Sequence, residues 1–311
     1  MNILLPTTIT EAMIAEGTNI PSVDSAQGEV LWLPSGEYVI GDLRVYQGSI
    51  YYCTKQHTAT ALSPTPPKDP TQWLFKEPTN RMSPFDEYLY TTARHSGEIV
   101  YRIRPGFFTG AWIGNFDAEE VTFTCREYTN GTVIKSSTFG AYKQAFGEYE
   151  YLFTPLSRLL GISSPTYDLR PDAELEVKIK KAVPSDSVSV GTIAVGRWFS
   201  MLSPGSNCGA TQYGVDATPK TYSYFKRNID GTYQRIVGRQ AKLINASAII
   251  DSRLAPEVYA MLAAIADVPV AVQINDTPKY GHLSTFGFVT GTVTSQDFST
   301  ARVDIKIEGN V

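Results

Sequence analysis

Apolar and polar residues alternate with a period of two along much of this chain. From Gly97 onward the runs EIVYRIRPG, AWIGNF and EEVTFTCREYTNGTVIKSSTF turn every second side chain to an apolar face, the pattern of half-buried strands. Asn130-Gly131 separates two alternating stretches of the last run and predicts a hairpin, because both residue types accept positive φ. ELEVKIKKA (Glu174–Ala182) predicts another strand, with Leu175, Val177 and Ile179 on one face. SVSVGTIAVGRWFSM (Ser187–Met201) opens a further set, and Asp230-Gly231 turns a hairpin between KTYSYFKRNI and TYQRIVGRQAKLINASAII. PVAVQIND, STFGFVTGTVTSQDF and ARVDIKIEG then return to strands. The convincing helical period comes late. Leu254, Val258, Met261, Leu262 and Ile265 recur every three or four residues, and Pro256 suits a first turn, so a helix is predicted over about Ala255–Ala266.

The expected fold class is mainly β: a small aromatic β-module, a β-sandwich, and a second β-rich domain with one packed helix. Residues 1–30 mix Thr, Pro, Ser and acidic side chains around one short helical stretch at Glu11–Glu16, and read as an N-terminal arm or docking segment. Residues 31–78 hold the module. Trp32, Tyr38 and Trp73 are its expected framework, since large rings supply burial that a core of about forty residues otherwise lacks. PPKDP (Pro66–Pro70) is too rich in proline for a central strand and reads as a rigid surface loop. The sandwich is expected over 79–184 and the last domain over 185–311.

Composition narrows the function classes. The chain has 311 residues, 19% of them charged, and a formal net charge of -4. It offers no basic field for phosphate, so nucleic acid is not an expected partner. No apolar run is long enough for a membrane span. MNILLPTTITEAM lacks the basic start and apolar core of a signal peptide. Cys53, Cys125 and Cys208 are widely spaced, without a CxxC pair, and are expected to be buried free thiols.

No catalytic constellation is written in the chain. There is no GxSxG elbow, HExxH, EF-hand loop, GxGxxG or P-loop, and His57, His95 and His282 are far apart. Asn228–Gly231 and Ile274–Asp276 read as Asx-rich turns, and Asp117, Glu119 and Glu120 as a solvated acidic loop. The expectation is a non-enzymatic protein with no catalytic residues, no metal site and no cofactor.

One stretch carries a resemblance. Trp32, Tyr38, Gly41, Leu43, Tyr46, Gly48, Tyr51, Cys53, His57-Thr58, Pro64 and Trp73 fall in a spacing that resembles the small chitin-binding modules of bacterial chitinases and other polysaccharide-active enzymes. The resemblance implies a compact fold of three or more strands with Trp32 and Trp73 near its centre. It also implies sugar stacking on exposed rings. Members of that family carry an exposed tryptophan just before the proline, whereas this chain reads Ala61-Leu62-Ser63-Pro64. The remaining candidates for carbohydrate contact are Tyr46, Tyr51 and Tyr52, of which strand alternation buries at least one.

A second resemblance spans nearly the whole chain. LLPTTIT (Leu4–Thr10), the module, PTNRMSPFD (Pro78–Asp86), VGTIAVGRW (Val190–Trp198) and IKIEG (Ile305–Gly309) follow one another in an order similar to tail-associated virion proteins of tailed phages. That resemblance implies a structural part of the distal tail, tail tip or an appendage-attachment point, assembled in the host cytoplasm and located in the virion. Its expected partners are other tail proteins, further copies in a ring, and host surface polysaccharide. Two alternatives stay open: a receptor-binding protein gripping host glycan through the module, and a polysaccharide hydrolase with an appended module. The hydrolase needs an acidic pair within 82–311, and none stands out there.

Overall fold

A five-residue strand at the start of the chain organises the body. In the computed structural model, which describes all residues except 128–130, 144, 146, 203–209, 276–277 and 311, Asn2–Pro6 lies between Ser187–Ser200 and Val270–Gln273, antiparallel to both. Successive side chains of a strand leave opposite faces of its sheet. Ile3 is accordingly sealed in one apolar cluster and Leu4 in another. The arm or docking segment expected over residues 1–30 packs within its own chain. Asn2–Pro6 is an interior strand, and Ile9, Ile14 and Ile20 beyond it are buried in the sandwich core.

The large sheet runs in the order Gly161–Ser163, Gly110–Asp117, Ser187–Ser200, Asn2–Pro6, Val270–Gln273, Ser284–Ser295, Thr300–Gly309 and Gln240–Asp251. Every neighbouring pair is antiparallel. Ala210–Thr211 and Asp216–Thr221 both add to Gln240–Asp251. A second sheet has the order Val133–Gly140, Glu120–Glu127, Ala173–Lys180, Glu98–Ile103. Its Ile99, Tyr101, Val121, Phe123, Leu175, Val177 and Ile179 share one core with Ala111, Ile113, Val188, Val190, Ile193 and Val195 of the large sheet. The sandwich expected over 79–184 thus closes only with Ser187–Ser200: the second sheet ends at Lys180, while the large sheet runs on past the 184/185 boundary.

Both faces of Ala173–Lys180 are covered. Glu174 and Glu176 are buried opposite the apolar face, where Arg104 bonds Glu174 at 2.9 Å and Arg102 bonds Glu176 at 2.8 Å. The acidic loop is likewise structural. Asp117 bonds Lys181 at 2.9 Å and also pairs with Arg158. Burial works against its charge, but these two cations hold its carboxyl below the usual range. Lys180 pairs with Glu120, and the Ala182 amide donates to Glu119.

At the other end of the large sheet, helix Ala255–Ala264 covers one face. Val258, Met261, Leu262 and the adjacent Ile265 pack with Ile244, Ile250, Val289, Val303 and Ile307. Pro256 sits in its first turn, and the Asp251 carboxylate accepts the Arg253 amide in the turn just before it. Gly231 adopts φ 84° in the Asp230-Gly231 turn. Glu120–Glu127 pairs with Val133–Gly140 as the Asn130-Gly131 signal implies, although Asn130 lies outside the described residues. Cys53 and Cys125 are buried free thiols, while Cys208 and Asp276 fall outside the description.

Candidate functional site

The aromatic stretch folds as a three-stranded sheet, Leu43–Tyr46, Ser49–Cys53 and Trp73–Pro78, with Glu37–Tyr38 paired to His57–Thr58 alongside. Gln47 and Gly48 both take positive φ, 47° and 77°, which is the two-residue turn whose twist suits adjacent strands. PPKDP is less exposed than expected: Pro66–Lys68 forms a 3-10 turn with Pro66 buried.

Trp32, Tyr38, Cys53, Ala59 and Trp73 form the module's core, with Tyr46 and Tyr51 packed on its margin. The rings meet edge to face, the arrangement their quadrupoles favour. Tyr38 lies 4.9 Å from Trp73 between centroids, His57 lies 5.4 Å from Trp73, and Trp32 lies 5.5 Å from Tyr46. The Tyr38 hydroxyl donates to the Leu33 carbonyl at 2.6 Å and accepts the Leu33 amide at 2.8 Å. A buried phenol is thereby satisfied, and the Leu33–Gly36 corner is pinned to the sheet.

Cys53 and His57 approach each other, Sγ to Nδ1 at 3.8 Å, but not as a nucleophile and its base. His57 Nδ1 lies 2.8 Å from the Lys55 carbonyl, which can only accept, so that nitrogen carries the proton. The Cys53 thiol points at the same carbonyl, and burial pushes its pKa up. The pair holds a loop.

Among the three tyrosine candidates, exposure separates the roles. Tyr46 and Tyr51 are half-buried against the core, and Tyr52 is open to solvent. Register places Leu43, Tyr52 and Leu74 in one row across the sheet, and Arg44, Tyr51 and Phe75 in a row on the opposite face. Phe75 packs edge-on to Tyr51 at 6.2 Å yet stays 55% exposed, and so presents a ring to solvent next to a fixed neighbour. Sequence reading missed Phe75. Its signal lay in Trp73-Leu74-Phe75, where a period of two puts Phe75 on the face of the buried Trp73. Leu62 is 96% exposed, held outward by a turn in which the Ser63 amide bonds the Thr60 carbonyl and the Thr60 amide bonds Ser63 Oγ.

A polar joint fixes the module to the body. Buried Thr79 donates its amide, at 3.0 Å, and its hydroxyl to the Gly48 carbonyl in the hairpin turn. Asn80 Nδ2 donates to Asp24 at 2.7 Å and to the Arg94 carbonyl at 3.0 Å, while its Oδ1 accepts the Arg94 amide at 2.9 Å. Glu29 accepts both the Asn80 and the Asp24 amides, and Tyr101 from the sandwich core donates to the Arg81 carbonyl. An Asn80→Ala chain should lose about 1–3 kcal/mol, the cost of leaving such groups unpaired. The check is a thermal melt combined with limited proteolysis, in which cleavage around residues 76–92 should accelerate.

With this geometry in place, comparison with known proteins matches residues 31–74 to the family described as carbohydrate-binding module family 5/12. The chain contains a carbohydrate-binding module. The match begins one residue before Trp32 and ends one residue after Trp73, so it spans the ring core just described. No curated protein matches the chain, and no solved structure matches it. The carbohydrate-binding module accounts for the rings that hold residues 31–74 together. Tyr52, Leu62 and Leu74 are among its exposed apolar side chains, and Phe75 follows just beyond the matched residues.

Proposed function

We propose that this chain is a non-enzymatic structural component of a phage tail, at the distal tail, tail tip or an appendage-attachment point, and that its carbohydrate-binding module contacts host surface glycan. The observation that carries the reading is the joint at Thr79–Arg81. Modules appended to separate domains ordinarily move on exposed linkers with few crossing contacts. Here the module is bonded through Asn80, Asp24 and Glu29 to the body, in a geometry suited to transmitting an attachment event rather than scanning a polymer. The order of segments similar to tail-associated proteins supports the same reading. Two of those segments lie side by side: Leu4, Leu5 and Pro6 pair with Trp198, Arg197 and Gly196.

Glycan contact rests on Phe75 beside Tyr51, with Tyr52 offering a separate ring on the opposite face, since the apolar face of a sugar ring packs on an exposed aromatic ring with little loss of rotamer freedom. Leu62 stands at the position where the resembling modules carry tryptophan and offers apolar area without a π face. The test is retention of the full chain on chitin, peptidoglycan and lipopolysaccharide, beside mass spectrometry of purified virions. Phe75→Ala or Tyr52→Ala should weaken retention about three- to tenfold without shifting the melt, and Leu62→Trp should strengthen it by a similar factor. If neither the native chain nor Leu62→Trp is retained on any polysaccharide, the glycan reading falls. If purified virions lack the polypeptide, the tail reading falls.

A further inference from the structure

Two exposed surfaces outside the module are apolar, aromatic and opposite in charge. The first is the hairpin Tyr224–Arg227 with Tyr233–Ile236, in register Tyr224 to Ile236, Phe225 to Arg235, Lys226 to Gln234 and Arg227 to Tyr233. Every residue of both strands is exposed, and Tyr224, Phe225, Tyr233 and Ile236 are each more than half so. A two-stranded ribbon wet on both faces is marginal in water. Its aromatics are interleaved with Lys226, Arg227 and Arg235. The one acid, Asp230, is engaged in the turn, where it accepts the amide and the hydroxyl of Thr232.

The second surface is helix Glu148–Phe153, which buries none of its residues. Tyr149, Tyr151, Leu152 and Phe153 project into solvent, continued by Leu156 and Leu160. Its charges are Glu148 and Glu150, and no Lys or Arg occurs between Gly147 and Ser157. Six residues are too few to hold a helix in water on propensity alone. Clustered apolar surface of this kind marks an interaction site.

We infer that these two surfaces are partners between copies of this chain, with the basic hairpin of one copy covering the acidic helix of the next. Within a single chain neither covers the other, since the rings of both stay exposed. The aromatic content of both surfaces matches what interface cores select, and opposite charge around those rings sets orientation and rejects like-with-like pairing. Each copy carries one surface of each kind. Such a heterologous contact closes into a ring where the rotation allows.

The inference rests on reading the chain as an assembling component. Its test uses the purified chain without virions or glycan, so the two readings fail separately. Sedimentation over a wide concentration range should show the native chain associating. Phe225→Asp should remove the hairpin surface and Phe153→Asp the helix surface, each weakening association about tenfold or more. Both positions are exposed, so the melts of the separate variants should match that of the native chain. Mixing the two variants is decisive, because each keeps the one intact surface that the other lacks: the mixture should form a heterodimer and stop there. A native chain that stays monomeric at every concentration overturns the inference. So does association that both variants leave unchanged.

Discussion

A Trp73→Ala chain should lose the fold of its carbohydrate-binding module while the two-sheet body stays folded. Trp73 is fully packed, touched edge-on by Tyr38 and His57, and paired in register with buried Cys53. Truncating a buried tryptophan costs about 3–5 kcal/mol. A unit of this size has only about 2–7 kcal/mol of stability to lose. The body is insulated because its two large cores draw no side chain from the module. Hydrogen exchange read by mass spectrometry checks this: amides of 43–53 should lose protection, while those of 187–200 and 300–309 keep theirs. Equal loss in both regions would show that module and body unfold as one unit.

The second large effect is at Gly196, opposite Pro6 where the first strand joins the sheet. A Cβ added there would stand 1.9 Å from the Leu5 carbonyl oxygen and 3.0 Å from Pro6 Cα. Both obstacles are backbone, so no side chain can swing aside. Relief requires Asn2–Pro6 to move, and with it Ile3 and Leu4, which are fully buried in separate clusters. Gly196→Ala should therefore cost more than the ~1–3 kcal/mol of ordinary overpacking, and the denaturation midpoint should fall for the whole body. Gly140→Ala is the matched control. Its added Cβ meets nothing within 4 Å, and the midpoint should hold or rise slightly.

These two sites also show how far sequence reading reaches. Elements with a local signature were legible. The Asp230-Gly231 turn, the helix marked by Val258, Met261 and Leu262, and the strand carrying Leu175, Val177 and Ile179 all stand where pattern placed them. Asn2–Pro6 was not, because a strand buried on both faces shows Ile3-Leu4-Leu5 as an unbroken apolar run, and five residues are too few to distinguish that from an arm. The layout of the sheets was equally hidden. Alternation says that Ser187–Ser200 is a strand, but not that it closes the sandwich and continues into the C-terminal half. In the module the framework rings were readable from spacing, whereas Phe75 emerged only once the register with Tyr51 was known.

The position of Asn2–Pro6 has a consequence in time. Asn2–Pro6 leaves the ribosome long before its partners Ser187–Ser200 and Val270–Gln273. The carbohydrate-binding module needs only neighbours within its own stretch and is free to form early in synthesis. The body must wait until Val270–Gln273 has emerged, with an apolar segment unpaired in the interval. Pairings between such distant stretches are slow to form, and the unpaired edge is exposed to aggregation meanwhile. Yield of native protein should accordingly depend on translation rate and temperature far more for the body than for the module.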